Sequence, residues 1–164
     1  MLSAAPPDRD LVALVDALVT EHGQDRAALL PVLRGLRAQR HLIDDAAMQL
    51  VADRLGTSPV AVQGVATFYA FVGTGRTGRH VVRLCRTLPC SMGGAEQTAA
   101  ALEAAADCTF GGTSADGAVS LQWASCLGLC DRPPAMLVDD DAAEDVTPDD
   151  ARRIVDRLRT EPAS

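Results

Sequence analysis

The sequence contains no lysine: all fifteen of its cations are arginine, and 22 acidic residues leave a formal charge of −7. An acidic chain of this kind lacks the basic patch that nucleic-acid binding requires. No run approaches the roughly 18 consecutive apolar residues of a membrane helix, and residues 1–10 lack a basic stretch followed by an apolar core. The expectation is a soluble, cytoplasmic protein. There is no Gly-x-Gly-x-x-Gly fingerprint or P-loop, and no serine or histidine arrangement suited to hydrolysis, so an independent enzyme is disfavoured. Cys-x-x-Cys is also absent, which argues against thioredoxin-type dithiol chemistry. Repeats and low-complexity tracts are missing too.

What remains is ordinary globular composition, 48% apolar and 23% charged over 164 residues, enough for a small helical module beside a compact α/β one. From residue 8 to 73 the apolar positions recur at helical spacing. Leu11, Leu14, Val15 and Leu18 form one stripe, which Gly23 can end as a left-handed cap. Leu29, Leu30, Leu33 and Leu36 form a second. Asp44 suits the N-cap of a third helix through Met48, Val51, Ala52 and Leu55, closed by Gly56. Ser58-Pro59 opens a short fourth through Val62 and Val65. Three glycines within residues 73–78 mark a flexible connection and the domain boundary.

From 79 to 160 the pattern changes. His80 to Cys85, Val119 to Trp123 and Ala135 to Val138 read as strands by alternation. Ala95 to Ala106 reads as a helix, Asp139-Asp140-Asp141 as an exposed turn, and Thr147-Pro148 as the start of a last helix with Ile154, Val155 and Leu158 on one face. Strand, helix, strand, strand, helix indicates a small α/β layer fold with helices on a sheet.

Five cysteines without a secretory leader point to reduced thiols with metal or redox roles rather than disulfides. Cys85 and Cys90 enclose four residues, Cys126 and Cys130 enclose three, and 35 residues separate the pairs. Each pair falls where a strand gives way to a loop, so two loops at one sheet end can gather four thiolates. Zinc accepts such spacings, and a zinc-stabilised interaction module stays open. An iron–sulfur cluster is favoured by the wide pairs, by Gly93, Gly94 and Gly128, which admit backbone amides to sulfur, and by the apolar 126–130 loop. His22, His41 and His80 lie far from any Cys-x-His pair and read as caps, solvated side chains or packing residues. Cys108 reads as a small buried residue on a strand.

At these residues the sequence resembles the thioredoxin-like [2Fe-2S] ferredoxin subunits of respiratory complex I (NADH dehydrogenase) and their relatives in NAD-linked hydrogenases and formate dehydrogenases. Val65-Ala66-Thr67-Phe68-Tyr69, Cys85 to Cys90 with Gly94, Cys126 to Cys130 with Pro134, and the run Asp139-Asp140 through Thr147-Pro148 carry the likeness, which spans about residues 8–159. Pro133 departs from it, since relatives commonly have a small residue there. The resemblance implies a helical N-terminal domain (8–73) followed by a thioredoxin-like domain (79–160), with Cys85, Cys90, Cys126 and Cys130 ligating one [2Fe-2S] cluster. It implies an electron-transfer subunit docked to a flavoprotein that holds FMN and binds NADH, alongside further iron–sulfur subunits and without membrane insertion. The parent is expected to be of the NADH:quinone oxidoreductase type, with formate dehydrogenase and hydrogenase as alternatives.

Such a cluster is anionic and becomes more so on reduction, which compensating amides or cations favour. Arg83, Arg86 and Arg132 flank the ligands and either supply that attraction or serve as solvated and partner-facing arginines. The acidic run from Asp139 to Asp141 reads as solubilising. Val65, Phe68, Tyr69 and Phe71 read mainly as core, and the helical half is expected to bind the flavoprotein.

Overall fold

The computed structural model describes residues 8–161, and the chain divides into two compact units between Arg76 and Thr77. The first is helical: α1 (Arg9–His22), a short 3-10 turn (Arg26–Ala28), α2 (Leu29–Arg40), α3 (Asp45–Arg54) and α4 (Pro59–Phe68). Asp8, Asp25, Asp44 and Ser58 start these elements by accepting backbone N–H groups into their side-chain oxygens, satisfying donors that a helix start leaves open. The apolar stripes converge on one core built from Leu11, Val15, Leu18, Val32, Leu33, Leu36, Ile43, Val51 and Val62. Gly23 does end α1, but at φ 103° and ψ 171° rather than in the left-handed helical well; His41 takes that well at the end of α2. Phe68 is 79% exposed and Phe71 is exposed as well, so of the aromatic run only Tyr69 packs on the core, together with Val65.

The connection is tied at each end. Arg37 donates to the Gly75 carbonyl in the first unit, and Gly78 N–H donates to Ser120 Oγ at 2.8 Å in the second.

The second unit runs β1 (His80–Cys85), α5 (Leu88–Met92), α6 (Ala95–Ala106), β2 (Val119–Ala124), β3 (Met136–Val138), β4 (Asp141–Ala143) and α7 (Pro148–Thr160). The sheet order is β2-β1-β3-β4, with β1 and β2 parallel and the other pairs antiparallel. Val82, Leu84, Val119, Leu121 and Met136 share a core with Leu102 of α6 and with Val155 and Leu158 of α7. Thr147 and Asp150 close a reciprocal capping box at the start of α7. Arg159, near its end, holds Asp116 at 2.8 Å and the Ala105 carbonyl at 2.9 Å, fastening α7 to the loop before β2 and to α6.

Three sequence expectations need correction. Asp141 is not part of the turn but begins β4, a strand of three residues too short for alternation to declare. Asp139, at φ 55°, does more than solubilise: its carboxylate accepts the His80 ring Nδ1 at 2.8 Å and the Val81 N–H at 2.7 Å, closing the start of β1 against the hairpin. Cys108 lies half-buried in the turn after α6 rather than on a strand, and burial, with Asp107 and Glu103 nearby, pushes its thiol up.

Candidate metal centre

Topology brings the cysteines together. Because β1 and β2 run parallel, Cys85 at the end of β1 lies level with Ala124, two residues before Cys126. β3 runs the other way and pairs its first residue, Met136, with Leu84, so the segment from Cys130 to Ala135 enters at the same sheet edge. Backbone bonds lock the three strands there: Cys85 N–H to the Ala135 carbonyl at 3.0 Å, and Arg86 N–H to the Ala124 carbonyl at 3.1 Å.

Cys85 and Cys90 are buried, Cys126 and Cys130 exposed, and all four thiols are free. Cys126 and Cys130 stand 3.4 Å apart sulfur to sulfur. Next to the first pair, the Thr87 hydroxyl stands 3.1 Å from Cys85 Sγ. Gly128 N–H donates to Cys126 at 3.4 Å.

The electrostatics follow from these contacts. Burial opposes ionisation of Cys85, but the Thr87 hydroxyl and amide, the Cys90 thiol and Leu127 N–H outweigh it and hold the thiol down. Cys90 shifts up, chiefly through burial and then through its bond to Cys85. Gly128 N–H, then the hydrogen bond with Cys130, pull Cys126 down, while the same bond and then burial push Cys130 up.

Of the flanking arginines, Arg132 is spoken for: Nε donates to Asp145 at 2.8 Å and Nη1 to Glu144 at 2.9 Å. Its charge is neutralised where an attraction to sulfur was one expectation. Arg83 is half-buried on β1, its pKa lowered by burial against the pull of Asp139 and Asp140, and Arg86 is exposed.

The glycines divide their roles differently from the sequence expectation. Gly128 does bring an amide to sulfur, at φ 84°. Gly93 instead allows contact between the two cysteine loops, since a Cβ there would sit 2.8 Å from Pro133 Cβ. Gly94, in the left-handed well at φ 98°, is the residue before α6. Thr87 and the short helix α5 escaped the sequence reading, although a threonine directly before Leu88-Pro89 is an N-cap signal. Beside the centre, Trp123 of β2 stacks on Phe110 with centroids 4.0 Å apart.

Four free thiols, with the Gly128 N–H and the Thr87 hydroxyl beside sulfur, are the donor set that thiolate-ligated irons take. Among the described residues no three His, Cys, Asp or Glu side chains are gathered closely enough to hold a single metal ion.

Comparison with known proteins agrees with this chemistry. A NADH-quinone oxidoreductase subunit from Pseudomonas aeruginosa is 35% identical over 136 residues, 82% of each chain. The corresponding NADH-quinone oxidoreductase subunit from Escherichia coli strain K12 is 36% identical over 139 residues, 84% of each. In structure, the chain resembles an NAD+-reducing [NiFe]-hydrogenase in the H2-reduced state, with a TM-score of 0.73 at 21% identity. The overlap covers 82% of this chain but 23% of the hydrogenase chain, so that likeness speaks to the fold. Residues 15–159 match the family described as thioredoxin-like [2Fe-2S] ferredoxin, and the chain belongs to that family.

Proposed function

We propose that Cys85, Cys90, Cys126 and Cys130 ligate one [2Fe-2S] cluster and that the chain passes electrons as a subunit of a larger NAD-linked oxidoreductase. The observation that carries the reading is the meeting of two distant loops at one sheet edge with four free thiols in two pairs. Spacing alone would also suit a tetrahedral zinc, and membership of the thioredoxin-like [2Fe-2S] ferredoxin family is what favours two bridged irons.

The bound cluster would supply reversible uptake of one electron at a time. The protein's part is electrostatic and steric. The Gly128 amide and the Thr87 hydroxyl direct their dipoles at sulfur, which favours the thiolate form and offsets added negative charge. Half-buried Leu127 and Leu129 pack on the core and limit water access from the second loop.

The partner is proposed to be a flavoprotein holding FMN and binding NADH, with further iron–sulfur subunits beyond it, on the cytoplasmic side of a membrane complex. Leu88, 72% exposed, and Met92, 81% exposed, flank Cys90 and offer apolar surface where electrons would cross. Val60, Phe68 and Phe71 offer a second apolar patch on the helical unit. None of the described helices is long and apolar enough to cross a membrane. The relatives named as NADH-quinone oxidoreductase subunits favour the quinone-reducing type of parent over an NAD-dependent formate dehydrogenase or an NAD-reducing hydrogenase.

Metal and sulfide analysis of protein purified without oxygen tests the centre: iron and acid-labile sulfide near two each per chain are expected, whereas about one zinc and no sulfide would establish the zinc module instead. For the partner, hydrogen exchange should slow across α4 and α5 when the co-purifying flavoprotein is bound. No protection in either helix would reject the docking assignment.

A further inference from the structure

Thr87 stands at the N-cap of α5, where threonine ordinarily accepts a backbone N–H of the first turn. Asp8, Asp25, Asp44, Ser58 and Thr147 all spend their side-chain oxygens in that way. Thr87 makes no such bond. Part of the reason is local, because Pro89 in the first turn has no N–H to offer. The hydroxyl is turned instead onto the candidate centre, 3.1 Å from Cys85 Sγ.

We propose that the Thr87 hydroxyl tunes the reduction potential of the cluster by donating a hydrogen bond to the Cys85 thiolate. The inference rests on the ligand assignment above. A metal-bound thiolate has no proton to give, so the bond has one direction, from oxygen to sulfur. Uptake of one electron from a reduced partner adds one negative charge to the iron–sulfide–thiolate unit. A fixed O–H dipole at sulfur interacts more strongly with that reduced form, because hydrogen bonds to charged acceptors strengthen with the charge. Thr87 is therefore a tuning group rather than a ligand: removing its hydroxyl leaves the sulfur count intact and shifts the equilibrium toward the oxidised form.

The test is a potentiometric titration of the full chain, reconstituted without oxygen and followed by visible absorption and electron paramagnetic resonance. Thr87→Val keeps the shape and removes the donor; Thr87→Ser keeps the donor. The valine variant is expected to disfavour reduction about tenfold, a midpoint lower by about 59 mV for one electron, with serine returning within about twofold of wild type. A valine variant within twofold of wild type overturns the proposal, as does a serine variant shifted as far as valine. If valine hinders cluster incorporation, Thr87→Ala is judged by the same criterion. Wild-type protein without iron and sulfide would overturn the ligand assignment itself, whereas an unchanged potential in loaded Thr87→Val overturns only the role of Thr87.

Discussion

Replacing Gly93 by alanine tests whether the two cysteine loops are held by direct contact. Gly93 has φ −80° and ψ 3°, a conformation any residue adopts, so the change introduces no backbone strain. What it adds is a methyl group 2.8 Å from Pro133 Cβ, 3.0 Å from Cγ and 3.1 Å from the Pro133 carbonyl carbon. Carbon atoms rest about 3.5–4.0 Å apart, so each contact is short by several tenths of an ångström. Neither a proline ring nor backbone can swing aside as a long side chain would. Overpacking of this kind costs about 1–3 kcal/mol, offset by about 0.4–1 kcal/mol from restricting the unfolded chain. The net loss is about 1–2 kcal/mol, or about 3–6 °C in the melting temperature of a chain of this length. Because Gly93 follows Cys90 by three residues and Pro133 follows Cys130 by three, relief of the clash parts the loops that carry one cysteine of each pair. Thermal unfolding of the cluster-free protein by circular dichroism and iron per chain after reconstitution measure the two effects. A variant that melts with wild type and loads iron equally well would refute the reasoning.

Other expectations follow from burial and charge. Gly64 is exposed within α4, and a Cβ there meets nothing within 4 Å, so Gly64→Ala should stabilise the helical unit by about 1 kcal/mol, seen as a later urea midpoint. In the cluster-free protein, iodoacetamide should label exposed Cys126 and Cys130 well before buried Cys85 and Cys90, and a loaded centre should protect all four; mass spectrometry of the peptides distinguishes these outcomes. Asp116 is held well below its ordinary value of 3.8 by the Ser114 hydroxyl, then the Ala118 N–H, then Arg159. A depressed folded-state value gives stability that is complete above that ordinary value and lost as pH falls below it. Asp116→Asn should therefore lower the melting temperature at pH 7, and the gap from wild type should narrow in scans below about pH 4.

The helices were readable because their signals are local. Asp44 and Ser58-Pro59 announce helix starts through bonds spanning three residues, and the leucine stripes report a buried face at a spacing that any i, i+3, i+4 pattern displays. The strands β1 and β2 were readable by alternation. Strand β4 and helix α5 were not, since three and five residues hold too few positions to show a period, and their pairing and packing depend on distant segments.

At the candidate centre, the residue types and their spacing already pointed to the thiolate ligation proposed above, because the two cysteine pairs were the one set of side chains at metal-ligating intervals. Spacing could not decide how the pairs meet, since 35 intervening residues leave the two loops free in one dimension. That was decided by a parallel β1–β2 pair beside an antiparallel β3, which places three chain segments at one sheet edge. The same folding chose what surrounds the sulfurs, turning Thr87 inward and Arg132 away to Glu144 and Asp145, because hydrogen-bond partners are set by distances in space rather than along the chain.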